Sequence, residues 1–468
     1  MCAAVLFADH SLSVAAETIS PSEQKPTKPA PALPQAFARF VNEKRALAAA
    51  IGKKHDLKVP SKVWEFFAAA QKGDWAATSN LFFGIEAGTH RRGSAEWMPS
   101  EIWGPIHDTF GAYELVEAWN TQLLEQFAEE IVKSIPSGSI YFGGTEGGRF
   151  AVSAFSQSHS EGRPFFTLTQ NALADSNYLG YLTDMYGARI HLPNTNESQK
   201  CFEEYLTNAQ ARLKHDRDFP NETRQIRPGE DVRLVDGKVQ VNGPVAVMAI
   251  NSLIVKLIFD RNPERQFYVE ESYPLDWTYP HLAPHQFIFK LSREPLKEIP
   301  AQAVRADREF WIRHTDSWLG AWLKTNAPVR EVTDFVERTY LNGNIKDFNG
   351  DLRLIRDLEA RKAFSHLRAS IGGLYAWRAA HSKGPSERQR MMAEADFAFR
   401  QAFAICPVSP ETVARYVELL VSGGRLSDAE QIAVTAYKLD PEHKQLGDYA
   451  EQQLLRAKQG TEKAPAPK

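Results

Sequence analysis

Between residues 135 and 295 the apolar period of this chain switches repeatedly between two and about 3.6, and that switching constrains the fold more than any motif. Pro136-Ser137-Gly138 is a turn, residues 139–142 (SIYF) read as a short strand, and residues 150–158 as a helix. A second unit follows, with a strand at 165–169 (FFTLT) and a helix carrying Tyr178, Tyr181, Leu182 and Tyr186. A third strand is predicted at 189–192 and a helix at 198–214. Residues 232–235 and 238–241 flank Asp236-Gly237, the strongest hairpin signal in the chain, because that dipeptide accepts the positive φ of a tight turn. Residues 245–259 read as a buried helix, 266–269 as a strand ending at Glu270-Glu271, and 285–291 (HQFIFKL) as one more strand. Such alternation predicts a Rossmann-like, mostly parallel sheet with crossover helices over 135–295.

Helical pattern lies on both sides of this α/β region, so the fold class is α/β plus α. In residues 35–134, Phe37, Phe40, Val41, Leu47 and Ile51 mark one helix face, and Gly73-Asp74 splits WEFFAAAQKGDWAATSNLF into a helical hairpin. Leu115, Trp119, Leu123, Phe127 and Ile131 follow at steps of four, and we read this aromatic stripe as core rather than as a binding groove. Linking helices occupy 296–359, with Trp311, Trp318, Leu319 and Trp322 at helical spacings.

The region 360–458 carries a countable repeat. Cys406-Pro407 and Asp440-Pro441 stand 34 residues apart. Ala395, Phe399 and Ala402 precede the first proline as Ala429, Ala433 and Ala436 precede the second. Small residues suit a close crossing of two helices, and proline ends the second one. Ile371-Gly372 and Tyr375 fit the first-helix pattern upstream, followed by an insertion around residues 382–390. This resembles two divergent tetratricopeptide repeats, with residues 446–458 as a capping helix. The resemblance implies a protein partner bound through 360–458, although the helices can equally serve to pack on the middle domain.

The ends read differently. Residues 1–16 form an apolar stretch ending in Val14-Ala15-Ala16, the small residues a signal peptidase prefers, although no basic residue precedes it. A truncated signal peptide predicts a periplasmic or otherwise extracytoplasmic location; the alternatives are an ordinary terminus and a cytoplasmic chain. Residues 17–34 are a proline-rich tether, and 459–468 a polar tail. With 55 basic and 58 acidic side chains the net charge is −3, and there is no basic run to neutralise phosphates, which argues against nucleic acid. Three dispersed cysteines exclude a disulfide scaffold and a CxxC site. The longest apolar run, 245–259, contains Asn251, Ser252 and Lys256 and is too short to span a membrane.

In an open parallel sheet, ligands bind at the carboxyl ends of the strands. The segments predicted there are Gly143–Arg149, Gln170–Asp175, Glu270–Asp276 and, at the end of the third strand, His191. Gly143, Gly144, Thr145, Gly147, Gly148 and Arg149 form a glycine-rich turn before a helix, suited to a small anionic ligand. Its spacing is neither GxGxxG nor a P-loop, and a plain glycine turn remains the alternative. Gln170 and Asn171 suit a sugar hydroxyl, with helix capping by Asn171 or Asp175 as the alternative. Glu146, Asp175 and Glu271 are the catalytic candidates; Glu270 and Glu271 point to opposite faces of a strand, so only one of them can serve a given site. His281 and His285 are separated by Pro284 and read as structural. The absence of HExxH, GxSxG and any Cys/His pair argues against protease, esterase and zinc readings, so no metal is predicted, and the sequence leaves any cofactor unknown.

The stretches SIPSGSIYFGGTEGGRF, FFTLTQNALADSNYLGYL and PLDWTYPHLAPHQFIFKL resemble the soluble C-terminal portion of a bacterial family of large membrane proteins related to protein O-mannosyltransferases. The resemblance spans roughly 125–295 plus the repeats. It lacks the family's membrane region and has Thr145-Glu146 in place of an acidic Asp/Asn pair, so no transferase activity follows from it. It implies an extracytoplasmic α/β ligand-binding module with interaction repeats, serving cell-envelope glycan or protein modification. The rival expectation is a transferase or hydrolase acting on a nucleotide, sugar or phosphate-bearing substrate.

Overall fold

The computed structural model describes residues 34–89, 97–235 and 237–442. The segment 1–16, nearly all of the tether, Asp236, the cap 446–458 and the tail lie outside the described residues.

The described chain opens with helices α1 (Gln35–Lys54), α2 (Ser61–Lys72), α3 (Trp75–Thr89), α4 (Trp103–Ala118) and α5 (Thr121–Ser134). α2 stops where Gly73 turns left-handed at φ 71°, and the Asp74 carboxylate then accepts the Ala77 N–H at 3.0 Å to start α3. The aromatic residues stack among themselves, Phe82 on Phe110 with ring centroids 3.7 Å apart and Trp75 on Tyr113 at 5.1 Å. Leu123, Phe127 and Ile131 are fully buried, so the stripe is core.

Strand β1 (Ile140–Gly143) leads through a π-helical turn, Gly147–Ala151, into α6 (Val152–Phe155); β2 (Phe166–Thr169) leads into α7 (Ser176–Tyr186). An excursion then inserts α8 (Thr195–Asp218), the hairpin β3 (Asp231–Val235) and β4 (Lys238–Asn242), and α9 (Pro244–Arg261) before β5 (Phe267–Val269), β6 (Leu282–His285) and β7 (Ile288–Leu291). The excursion has its own small core of Tyr205, Ala209 and Ala246. The main sheet runs β2-β1-β5-β7-β6. β1 is parallel to β2 and β5, whereas β7 is antiparallel to β5 and β6. The sheet is therefore mixed rather than mostly parallel.

Two departures from expectation explain this. Residues 282–291 form a hairpin, not a single strand, because Gln286 at φ 55° reverses the chain without any glycine to announce it. Residues 189–192 form no strand. Gly187–Arg189 is a 3-10 turn, and the Asn262 side chain takes both polar groups of the His191 backbone, at 2.7 and 3.1 Å, in place of a strand neighbour.

The remaining helices are α10 (Ala301–Leu319), α11 (Val329–Val336), α12 (Leu352–Arg356), α13 (Leu358–His381), α14 (Pro385–Ile405), α15 (Pro410–Ser422) and α16 (Leu426–Leu439). The last four form two helix pairs. Of the residues expected as an insertion around 382–390, only 382–384 form the turn between α13, 24 residues long, and α14, 21 residues long, and 385–390 are the first turns of α14. A Cβ on Gly372 would stand 3.2 Å from the Phe399 ring, so the two helices cross closely, and Ala395 and Ala402 are fully buried there. Phe364 of α13 ties the regions together, meeting Phe127 of α5, Phe287 of the β6–β7 turn and Trp318 of α10.

Candidate functional site

β1 runs to β2 on one side and the chain then returns to β5 on the other, so the crevice between the carboxyl ends of β1 and β5 is the topological switch point of the parallel strands. The glycine-rich turn lies there and does hold an anion. That anion is the chain's own Glu270. Its carboxylate accepts the Gly144 N–H at 2.7 Å, the Thr145 N–H at 2.9 Å and the Thr145 hydroxyl at 2.5 Å. Thr145 Oγ1 accepts in turn from the Gly148 N–H at 3.0 Å. The glycines are demanded by this carboxylate: a Cβ on Gly148 would lie 1.8 Å from Glu270 Oε2, and one on Gly144 2.7 Å from the Glu270 carbonyl. Only α6, four residues long, follows the π-helical turn.

The other residues predicted for the site have separate partners. Gln170 is fully buried and donates to Ser272 Oγ at 2.9 Å, bridging the ends of β2 and β5. The Asn171 carbonyl accepts from Asn251 of α9 at 3.0 Å, while Asp175 caps α7 through the Asn177 N–H at 2.8 Å. Gly147 packs against Phe127. Arg149 turns away from the crevice to Asp108 of α4 at 3.0 Å. Glu146 is exposed; partial burial, and then the Glu146 charge, push Glu114 up to about 7. Glu271 points away from the glycine turn and meets Arg415 of α15 at 3.3 Å and the Tyr279 hydroxyl at 2.9 Å. Burial holds its carboxyl above the usual carboxylate range, with Arg415 pulling the other way. Among the described residues no hydrogen bond or ion pair joins any two of Glu146, Arg149, Asp175 and Glu271. Two surface grooves, of about 590 and 350 Å³, lie along Asn42, Arg45 and Trp64 and along Thr183, His191 and Leu192; of the positions expected at strand ends, only His191 lines either.

A buried polar cluster centred on Lys44 is one sequence reading missed. Lys44 of α1 is fully buried, and its ammonium donates to Asp108 at 3.0 Å, to Tyr181 Oη at 2.7 Å and to His159 Nδ1 at 2.6 Å. Tyr181 donates to Asp108 at 2.6 Å. Burial opposes the Asp108 charge, but Lys44 and Arg149 together hold its carboxyl far below the usual range. Burial, with Lys44 and Arg149 beside it, depresses His159 to about 3, so the ring is neutral and its Nδ1 accepts. Burial with Arg149 lowers His107 likewise to about 3. The signal was present: Lys44 occupies an apolar-stripe position of α1, between Val41 and Ala48. The cluster joins five segments of chain, with Lys44, Asp108, His159 and Tyr181 buried and Arg149 partly exposed at its edge. No protein-family model, no curated protein and no solved structure matches this chain.

Proposed function

We propose that the chain is a non-catalytic recognition protein whose α/β sheet is a rigid platform and whose helix pairs α13–α16, tetratricopeptide-like in spacing, meet a protein partner. One observation carries this reading. The groups at the strand ends that would do chemistry are committed internally, Glu270 to the glycine turn and Glu271 to Arg415 and Tyr279. Val434 and Tyr437, three apart on α16, meanwhile leave apolar side chains about half exposed on the repeat region. No helix among the described residues is long and apolar enough to cross a membrane. The resemblance noted above favours an extracytoplasmic setting in cell-envelope glycan or protein modification.

A transferase or hydrolase is the second reading, favoured by the place of the glycine turn at the topological switch point of the parallel strands. A thermal-shift screen with nucleotides, sugar phosphates and divalent cations separates the two. The recognition reading expects no ligand to raise the melting temperature, and a saturable rise abolished by Glu146→Gln would favour the enzyme. In the partner arm, Val434→Asp with Tyr437→Asp is expected to abolish recovery of a partner captured by the wild-type chain. Unchanged recovery would count against the helix pairs as the interaction surface.

A further inference from the structure

The segment that leaves β5 is gripped by the helix pairs at two points. At the first, His366 of α13 places Nε2 on the Glu271 carbonyl at 2.5 Å and Nδ1 on the Glu411 carboxylate at 2.7 Å. Arg415 lies between Glu411, at 2.8 Å, and the Glu271 carboxylate, at 3.3 Å. At the second, further along α13, Arg378 donates to the carbonyls of Tyr279, Pro280 and Leu296 at 3.1, 2.7 and 2.8 Å. Both ring nitrogens of His366 face acceptors that have no proton to give. A neutral imidazole carries one N–H and can serve only one of them, so the pair of bonds requires the imidazolium.

We propose that His366, with Glu411 and Arg415, forms a protonation-dependent latch on Glu271 that holds α13–α16 over the carboxyl ends of the parallel strands. The latch rests on the reading of these helices as the recognition part of the chain, because it makes their seating on the platform adjustable. The groups facing His366 are Glu411 and Arg415 from α15 and Glu270 and Glu271 from the end of β5. Burial disfavours the charge, but the Glu411 carboxylate, then Glu270 and the Glu271 carbonyl, outweigh it and push the ring up to about 9. The sign follows directly. A histidine raised in the folded state adds stability that is complete below its ordinary value of 6.5 and is lost as pH climbs through about 9. Neither Arg378 nor Arg415 titrates in this range, so deprotonation releases the Glu271 backbone from His366 while the Arg415–Glu271 ion pair and the Tyr279 end stay held.

Amide hydrogen exchange on the full-length chain, corrected for the intrinsic rate at each pH, tests the latch. Wild-type peptides covering 143–148 and 270–275 should lose at least about tenfold in protection as pH rises through the His366 transition, one proton gating one equilibrium. His366→Gln should show the lowered protection already at neutral pH and no further step. Glu411→Gln, a milder change at a half-exposed partner, should weaken the step if the first variant fails to fold. No step in the wild type, a step that survives in His366→Gln or is undiminished in Glu411→Gln, or full protection in His366→Gln at neutral pH, overturns the proposal. Partner capture is not part of this readout, so failure of the latch and failure of the recognition reading are separate results.

Discussion

Gly148→Ala will destabilise the chain by about 3–5 kcal/mol, the range seen when a buried charge loses its partners. A methyl group at residue 148 would sit 1.8 Å from Glu270 Oε2, inside bonding contact. Glu270 has nowhere to go, since Gly144, Thr145 N–H and the Thr145 hydroxyl fix both of its oxygens in a fully buried setting. Either the carboxylate leaves its donors, stranding a charge and two N–H groups, or the turn moves and opens the end of β1. Both routes cost several times an ordinary surface substitution. The check is a denaturant midpoint for Gly148→Ala, Glu270→Ala and the double variant. The double variant should be more stable than the sum of the single losses requires, because the smaller residue 270 removes the clash. A Gly148→Ala midpoint within about 1 kcal/mol of wild type would show that the turn does not grip Glu270 as described.

That turn also shows what sequence reasoning can reach. A glycine run at the end of a predicted strand signals close approach of an anionic group, and the approach is real. Nothing local says that the anion is residue 270, because the pairing depends on β5 lying beside β1 after an excursion of nearly a hundred residues. Period-two alternation did separate Glu270 from Glu271, and they do face different partners. The flanking helices, the strands at 140–143, 166–169 and 267–269 and the β3–β4 hairpin were legible because each is a local pattern with strong turn chemistry. The β6–β7 hairpin was not, since Gln286 carries no turn signature and only tertiary packing selects its positive φ, with the Gln286 carbonyl held by Trp311 at 3.2 Å. The Lys44 cluster was hidden for a different reason. Its members come from α1, α4, α7, the β1 turn and the loop after α6, and nothing local to any of them names the others as partners. The one local clue is a charge set in an apolar stripe, and the same clue marks Arg368, fully buried in α13 and paired with Asp307 at 2.9 Å.

Asp108→Ala is expected to be the most damaging single change in the N-terminal half, costing about 3–5 kcal/mol. It removes the one carboxylate that answers both Lys44 and Arg149, leaving an ammonium with no exposed surface and a mostly buried guanidinium. Lys44→Met should cost less, because Asp108 would keep Arg149 and Tyr181. The two changes share a partner, so their combination should fall short of additivity by about 1–3 kcal/mol in a double-mutant cycle. Additive losses would mean that the pair is not coupled and that the cluster is a set of independent contacts. The cluster also fixes the acid limb of stability. His159 and His107 are held neutral down to about 3, whereas an unfolded histidine takes up its proton near 6.5. Between those values the unfolded chain binds more protons, so stability falls as pH drops, by up to about 1.4 kcal/mol per unit for each ring. Asp108, depressed by Lys44 and Arg149, adds its own loss only below the ordinary carboxylate range. His159→Gln should therefore flatten the slope between about pH 6 and 4 by close to half of the two-histidine contribution, since the amide cannot titrate. An unchanged acid slope in that variant would place the responsible proton elsewhere and remove His159 from the cluster's energetics.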